Sequence, residues 1–515
     1  MEVINEHLSF SASTQGAIGL TVVLFTYAAA SWIRKSTRPT NSSTPPGPPK
    51  EFLLGNLRQF PKDHFYQKFC EWQKEYGNIV SVQLPGLSMV IIGSYDVVNE
   101  LLIKRPNSTG GRKISYMVLE LMKWQWSTAF IQPGPSHSNQ RKMLRRGIGP
   151  QRVGSHTPNI EKNTGKLMLT LHSLEGNPHS EIMRNVGQIV VEITYGEKMG
   201  ALIGEEISSW SIEALKLITE AIVAFWPVDI LHFLRFLPSW APGGGFQRTA
   251  SRSAWVSDQL RYVPFEKAKE LYASGDIGHS LAADLLDEFG PTDDVRDALA
   301  VLFTAGADTT SAAIHLFLHA MFMFPEVAQK VYEEISALTN GDRLLTISDR
   351  PHLPYTEAAW LESYRFRPMS LLGIPHCSTK DEVVNGYLIK AGTLLNINNG
   401  FILSDPKVWG DPEVFRPERF LAADAGSLPH PPSVIFGFGM RVCPGMYLAD
   451  RIGFHIAATM VSLFEVTPLK GASRPEPGST EYTDSGISLP VDFNCRFVPR
   501  GTKAEHLLRT IALNI

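Results

Sequence analysis

The sequence predicts a mostly helical protein, with one large domain that carries a smaller β-rich region and sits behind an N-terminal transmembrane helix. Three observations lead there. Helical patterns of apolar residues dominate 155–323. Strand-like stretches are confined to short regions nearer the two ends of the domain. Residues 16–33 form an uncharged apolar run. The chain has 515 residues, 43% of them hydrophobic and 19% charged, which describes a globular protein. No internal repeat, low-complexity stretch or obvious linker follows residue 49, so the remainder reads as one domain. A net charge of −3 gives no electrostatic case for nucleic acid. The four cysteines (Cys70, Cys377, Cys443 and Cys495) are far apart and form no C-x-x-C, which argues against a disulfide scaffold or zinc site and suits a reducing compartment.

Taken in order, residues 16–33 (GAIGLTVVLFTYAAASWI) are just long enough to cross a bilayer as a helix, with Trp32 at the interface. Arg34, Lys35 and Arg38 follow, whereas only Glu2 and Glu6 are charged beforehand. The positive side is thus C-terminal, which leaves residues 1–15 lumenal and the main domain cytoplasmic. Ala28-Ala29-Ala30 also reads as a cleavage site, but the preceding segment lacks the Lys or Arg of a cleaved signal peptide. Two glycosylation sequons, at Asn41 and Asn107, matter only in a lumenal protein. Residues 34–49 are a basic, proline-rich hinge whose 44–49 stretch favours a stiff polyproline conformation. Residues 50–515 form the main domain.

Within it, residues 78–84 and 89–93 flank Pro85-Gly86 as a hairpin, and Ser94 caps a helix running towards Lys104. The helical region breaks at Asn177-Pro178 and around 238–245 and 275–278. Strand-like pieces return at 383–388 and 393–397.

The most informative segment is Phe436-Gly437-Phe438-Gly439-Met440-Arg441-Val442-Cys443-Pro444-Gly445. Its glycines let the backbone approach a flat ligand closely. Loop amides and Arg441 favour thiolate over thiol at Cys443. A buried thiolate with one open face is a strong axial ligand for haem iron. A buried structural cysteine is the plain alternative. A second segment, 293–324, reads as one long helix in which Asp308 is the only formal charge after Ala298. Its centre, Ala305-Gly306-Ala307-Asp308-Thr309-Thr310, combines a weakening glycine with a threonine that bonds back to a carbonyl, which predicts a bend with room for a ligand. A membrane span or a core helix with a satisfied Asp explains the same pattern. In a third segment, Glu362 and Arg365 stand three apart on a predicted helix with aromatic flanks, and Phe415-Arg416-Pro417-Glu418-Arg419-Phe420 follows.

These segments, in this order and at these separations, resemble the cytochrome P-450 family from the anchor to Val498, and its fungal microsomal members of specialised metabolism most closely. The resemblance implies haem b held by Cys443 as axial iron ligand, with Phe436, Gly439 and Gly445 shaping the loop and Ala305 and Gly306 facing the haem. Thr309 and Asp308 take the oxygen-activation and proton-relay roles. Glu362, Arg365 and Arg419 form the structural triad that holds the haem loop. Arg141, Arg441 and His376 contact the propionates. The family's W-x-x-x-R is altered, because His137 stands where Trp is expected; an imidazole still donates one hydrogen bond, but an exposed loop histidine is the default reading. Residues 482–499 resemble the family's closing β-hairpin.

The implied activity is that of a haem-thiolate monooxygenase placing one atom of O2 into an apolar small molecule. A terpenoid is expected, with a polyketide or aromatic precursor as the alternative. No flavin or nicotinamide motif is present, so electrons come from a separate partner. The anchor and the resemblance imply NADPH as their source through the reductase of the endoplasmic reticulum, with cytochrome b5 as a further partner. The resemblance also implies a single-pass endoplasmic reticulum protein. Substrate-lining stretches fall near 114–130, 224–233 and 369–374, with Leu371 and Leu372 in the last, and Trp124, Trp126, Phe225 and Trp226 as large walls or ordinary core. Two other classes stay open. One is a haem-thiolate isomerase or dehydratase, which an intact acid–threonine pair disfavours. The other is a haem- or ligand-binding protein without turnover.

Overall fold

The computed structural model describes residues 43–514 except 225, 477, 484 and 485. The expected anchor at 16–33, the segment before it, residues 34–42 of the hinge and Phe225 lie outside the described residues. Twelve principal helices are α1 (Phe65–Tyr76), α2 (Pro135–Ile148), α3 (Thr157–His172), α4 (His179–Tyr195), α5 (Glu197–Val223), α6 (Phe246–Ala273), α7 (Leu281–Phe289), α8 (Asp293–Met323), α9 (Pro325–Thr339), α10 (Pro354–Phe366), α11 (Met446–Leu463) and α12 (Gly501–Asn514). Nine short strands are β1 (Ile79–Leu84), β2 (Leu87–Ile92), β3 (Glu175–Gly176), β4 (His376–Cys377), β5 (Glu382–Val384), β6 (Tyr387–Ile389), β7 (Leu394–Ile397), β8 (Phe464–Thr467) and β9 (Cys495–Pro499). They make sheets of order β1-β2-β7-β4 and β3-β9-β8, plus the β5-β6 hairpin. The first sheet shields a small apolar core of its own around Phe69, Trp72, Val82 and Ile91, and the helices enclose the main one.

The central element is α8. The Thr292 hydroxyl caps it by accepting from the Val295 amide at 3.3 Å, and Pro325 opens the next helix. By length and composition α8 is able to cross a membrane, but it lies in the protein core, with almost every residue from Val295 to Phe322 buried. Helix α4 runs against it. The approach is close because Gly306 has no side chain: a Cβ there would lie 3.2 Å from Val190 Cγ1. The expected break at 305–309 is not observed, and α8 stays helical from Asp293 to Met323. The Thr309 hydroxyl does bond back to the Ala305 carbonyl, at 2.8 Å, but the packed neighbours on both sides keep the ladder intact.

Other expectations are refined. The stretch 383–388 is not one strand. Asn385 and Gly386 both take positive φ, 50° and 78°, and turn the chain into the β5-β6 hairpin. Ser94 stands at a helix start, but its carbonyl rather than its hydroxyl bonds Val98 N, and the helix widens into a π-turn at Asn99–Ile103. The C-terminal region is not a simple hairpin either. Tyr482 and Pro490 meet in an isolated bridge, while β9 pairs with the distant β8, and α12 follows without having been expected. Residues 43–49 of the proline-rich stretch are tied down: the Leu388 amide donates to the Ser43 carbonyl at 2.9 Å and the Ser81 amide to Pro46 at 2.7 Å. Trp124 and Trp126 are core anchors whose indole N–H groups donate to Ser253 and Ser257 of α6 at 2.9 and 2.8 Å.

The expected ion pair is buried and joined by its third member. Glu362 on α10 has no accessible surface and receives both Nε and Nη2 of Arg365 at 2.8 Å. Arg419 approaches the same carboxylate at 3.1 Å, and the Arg416 amide donates to it at 2.8 Å. The remaining guanidinium protons go to carbonyls of Leu403, Trp409, Pro412 and Val414. One carboxylate thus pins α10 to the irregular segment 403–419 that precedes the cysteine loop. Glu362→Ala is expected to lower stability by about 3–5 kcal/mol, since it leaves buried Arg365 with no carboxylate and buried Arg419 with only Asp411, at 3.6 Å. Chemical denaturation of the purified protein measures this, and a loss below 1 kcal/mol would contradict the assignment.

Candidate active site

Three elements converge on the cysteine loop: the N-terminus of α11, the first turns of α2, and the 110–131 segment. The loop follows a 3-10 turn at Gly439–Arg441, and the Cys443 amide closes it by donating to the Phe436 carbonyl at 2.7 Å. Gly439 is required here. Its φ is 56°, and a Cβ would lie 2.2 Å from the Leu102 carbonyl oxygen. Phe436 is buried and meets Tyr364 edge-on at 6.0 Å. Gly445 lies beside the thiol, with a would-be Cβ 3.8 Å from Cys443 Sγ. Cys443 itself keeps accessible surface. Burial pushes its thiol pKa up, while the Gly445 amide, Arg141 and the Met446 amide pull the other way.

The cation acting on that sulfur is therefore Arg141 of α2 and not, as the spacing suggests, Arg441. Arg141 also donates to the Val442 carbonyl at 2.8 Å, which ties α2 to the loop. Arg441 turns away and donates to the carbonyls of Gly110, Thr128 and Ile131 at 2.8, 3.3 and 2.7 Å.

Around this loop positive charge accumulates without compensation. His137 sits on α2, which corrects the reading of an exposed loop histidine: it is 4% exposed, and its Nε2 has no hydrogen-bond partner. Burial, then Arg441, Arg141 and Arg112, lower its pKa to about 4. His376 on β4 is buried too, and contacts the Thr109 carbonyl through Nδ1 at 3.1 Å. Burial and Arg112 lower its pKa to about 3. Arg112 belongs to the same group and was missed by sequence reasoning. Its Nη1 donates to the Ile374 and Pro375 carbonyls at 2.7 Å, beside His376, and burial with Arg441 lowers its pKa to about 9. The available signal was the Gly110-Gly111-Arg112-Lys113 turn. Among the described residues, none of Arg112, Arg141 and Arg441 forms a salt bridge. Such a group is built for an anionic partner.

Helix α8 packs on both α2 and α11, the two helices that border the loop. Between Val295 and Phe322, its only residues that keep accessible surface are Val301, Ala305, Gly306, Asp308 and Thr309. Val301, Ala305, Asp308 and Thr309 follow i, i+4, i+7 and i+8 spacing and share one face. Gly306 is turned towards Val190 instead, as its packing against α4 requires. Desolvation pushes the Asp308 carboxyl pKa up to about 6, and no cation offsets it. Leu371 and Leu372 are engaged elsewhere: Leu371 lies over Gly400 and accepts its amide at 3.1 Å, and Leu372 packs on the small core beneath the first sheet.

A family profile described as Cytochrome P-450 matches residues 45–490. Cytochrome P-450 monooxygenase 208 of Postia placenta is 30% identical over 96% of this chain and 96% of its own. Cytochrome P-450 monooxygenase COX1 of Coprinopsis cinerea is 30% identical over 97% of this chain and all of its own. Tryptamine 4-monooxygenase of Psilocybe cyanescens is 30% identical over 94% and 97%. The chain belongs to the cytochrome P-450 family, and it is a monooxygenase that uses haem, O2 and electrons from a redox partner. The residues present fit haem: an accessible thiol, an orphaned imidazole nitrogen among uncompensated guanidiniums suited to two propionates, and an accessible apolar face on a buried helix.

The raised Asp308 pKa has a stability consequence. The folded state holds this proton more tightly than the unfolded state, so stability from this group is full below about pH 4 and is lost as pH rises through about 6. Asp308→Asn should therefore be more stable than wild type above pH 7, by at most about 2–3 kcal/mol, and the gain should shrink as pH falls towards 4. Denaturation curves at several pH values measure it. A pH-independent difference would contradict the burial of this carboxyl.

Proposed function

We propose that this protein is a membrane-anchored haem-thiolate monooxygenase of the endoplasmic reticulum that oxidises an apolar small molecule, a terpenoid by preference, with electrons from NADPH-cytochrome P-450 reductase. The observation that carries the reading is the accessible Cys443 thiol in a loop bordered by an uncompensated cationic group; the open face of α8, apolar apart from Asp308 and Thr309, supports it.

Haem b bound through Cys443 supplies the oxidation, in which one atom of O2 enters the substrate and the other leaves as water with two electrons and two protons. Arg112, Arg141, Arg441, His137 and His376 hold the propionates. The Gly445 and Met446 amides and Arg141 stabilise the thiolate. Val301 and Ala305 present small apolar surface to substrate and exclude water from it. The Thr309 hydroxyl donates to the Ala305 carbonyl at 2.8 Å, which leaves its oxygen to accept a hydrogen bond at a fixed point on that face. Asp308, with a pKa of about 6, both takes up and gives up a proton near neutrality. The apolar face supports a terpenoid. A second reading is an aromatic amine, favoured by the name of the tryptamine-oxidising relative.

The deciding measurement is the reduced carbon-monoxide difference spectrum of wild type beside Cys443→Ala. The thiolate band should appear in wild type and vanish in the variant; a haem-loaded wild type without it would overturn the reading. His137→Leu should retain the band and lose haem several-fold faster to a haem-scavenging protein. Wild-type loss kinetics would remove His137 from the propionate site. With reductase and NADPH, turnover of terpenoids against indolic amines then separates the two substrate readings.

A further inference from the structure

Helix α8 carries a polar line that the site described above uses only at one end. Thr304, Asp308, Ser311, His315 and His319 follow one another at i+3 and i+4 steps, which puts them on one face of an otherwise apolar helix. Ser311 is fully buried, and its hydroxyl donates to the Asp308 carbonyl at 2.9 Å. His315 is 1% exposed and its Nδ1 has no partner. Its ring meets that of His179 on α4, with centroids 5.1 Å apart, and the buried His179 Nε2 is likewise without a partner. One turn further on, His319 Nδ1 lies 3.3 Å from the Tyr482 hydroxyl and its Nε2 3.5 Å from the Thr480 hydroxyl. Tyr482 and Thr480 belong to the C-terminal segment and keep accessible surface. The line begins at solvent and ends at Asp308.

Packing does not explain these residues. Burying imidazoles in an apolar core costs free energy that Phe or Leu would not. Phe493, which lies 5.2 Å from the His315 ring and 5.0 Å from that of His319, already supplies the aromatic contact. Two unpartnered buried nitrogens on rings in contact are where bridging water belongs. Burial holds all three imidazoles neutral, and the charges acting on them are each other and, at the outer end, Arg367. A neutral imidazole accepts at one nitrogen and donates from the other.

We propose that this face of α8 is a proton path from solvent at Tyr482 and Thr480, through His319, the water-bridged pair His315 and His179, and Ser311, to Asp308. The inference rests on the monooxygenase reading, which requires protons at a buried carboxylate. Each step moves one proton: His319 takes it up from the Tyr482 and Thr480 end and turns its ring to release one inward, and the Ser311 hydroxyl, which rests on the Asp308 backbone carbonyl, rotates to pass one to the Asp308 carboxylate. No electron moves along this line. His315 acts through Asp308 and is a positioning residue.

The test uses holoenzyme with reductase and NADPH and needs no substrate, because reduction of O2 to water takes twice as many protons as reduction to hydrogen peroxide. In His315→Phe, the peroxide yield per O2 consumed should rise several-fold and the solvent deuterium isotope effect should change, with the carbon-monoxide band intact. His315→Gln, which keeps a donor and an acceptor, should restore most of the wild-type ratio. His319→Phe, at the outer end, should act in the same direction and serves if the inner variant does not fold. A crystal structure of the holoenzyme should show ordered water between His179 Nε2 and His315 Nδ1. A dry pair, or a His315→Phe enzyme with the wild-type ratio and isotope effect, overturns the path alone. A wild type lacking the thiolate band overturns the monooxygenase reading and the path with it.

Discussion

One buried carboxylate carries much of this architecture. Glu362 has no contact with solvent and is neutralised by two guanidiniums, one from its own helix and one from a segment more than fifty residues later. A single ion pair at the surface would contribute little. Here the geometry is bidentate, and the leftover donors are absorbed by backbone carbonyls of a stretch with little regular structure of its own. That stretch leads into the cysteine loop, so the fixed position of Cys443 follows from a charge cluster that never touches it.

The site then combines two opposite electrostatic arrangements. On the loop side, positive charge is gathered without carboxylates, which costs stability until an anionic ligand arrives. On the helix side, one carboxyl is desolvated without a cation, which keeps its proton exchangeable near neutrality. Both cost free energy in the protein as it stands, and both sit on elements that pack together, α2 and α8. The small residues on α8 divide the work: Ala305 leaves surface open, whereas Gly306 serves the approach of α4.

Much of this was legible in the residues. The long central helix, the first hairpin, the cysteine loop and the acid–threonine pair follow from local pattern, because apolar periodicity, proline and glycine act over a few residues. The E-x-x-R pair was legible as a pair but not as a buried one, since burial depends on what packs over it. Local chemistry misled at one place. Arg441 stands two residues from the cysteine in sequence, yet its side chain spends its donors on three carbonyls of the 110–131 segment, and Arg141, from a different helix, acts on the sulfur. The tryptophans of the same segment read equally as substrate walls or core, and the structure makes them core, bonded to hydroxyls on α6.

The sequence by itself determined the class of protein, the candidate thiol and the long central helix, because those rest on residue type and short spacing. Tertiary structure decided which cations surround the site, that His137 is buried with a free nitrogen, that Gly306 faces a helix, and that three histidines line up behind Asp308. Each of these depends on segments far apart in the chain meeting in one place, and on burial, which sets the energy of a charge or an unpaired nitrogen but leaves no mark on the residues around it.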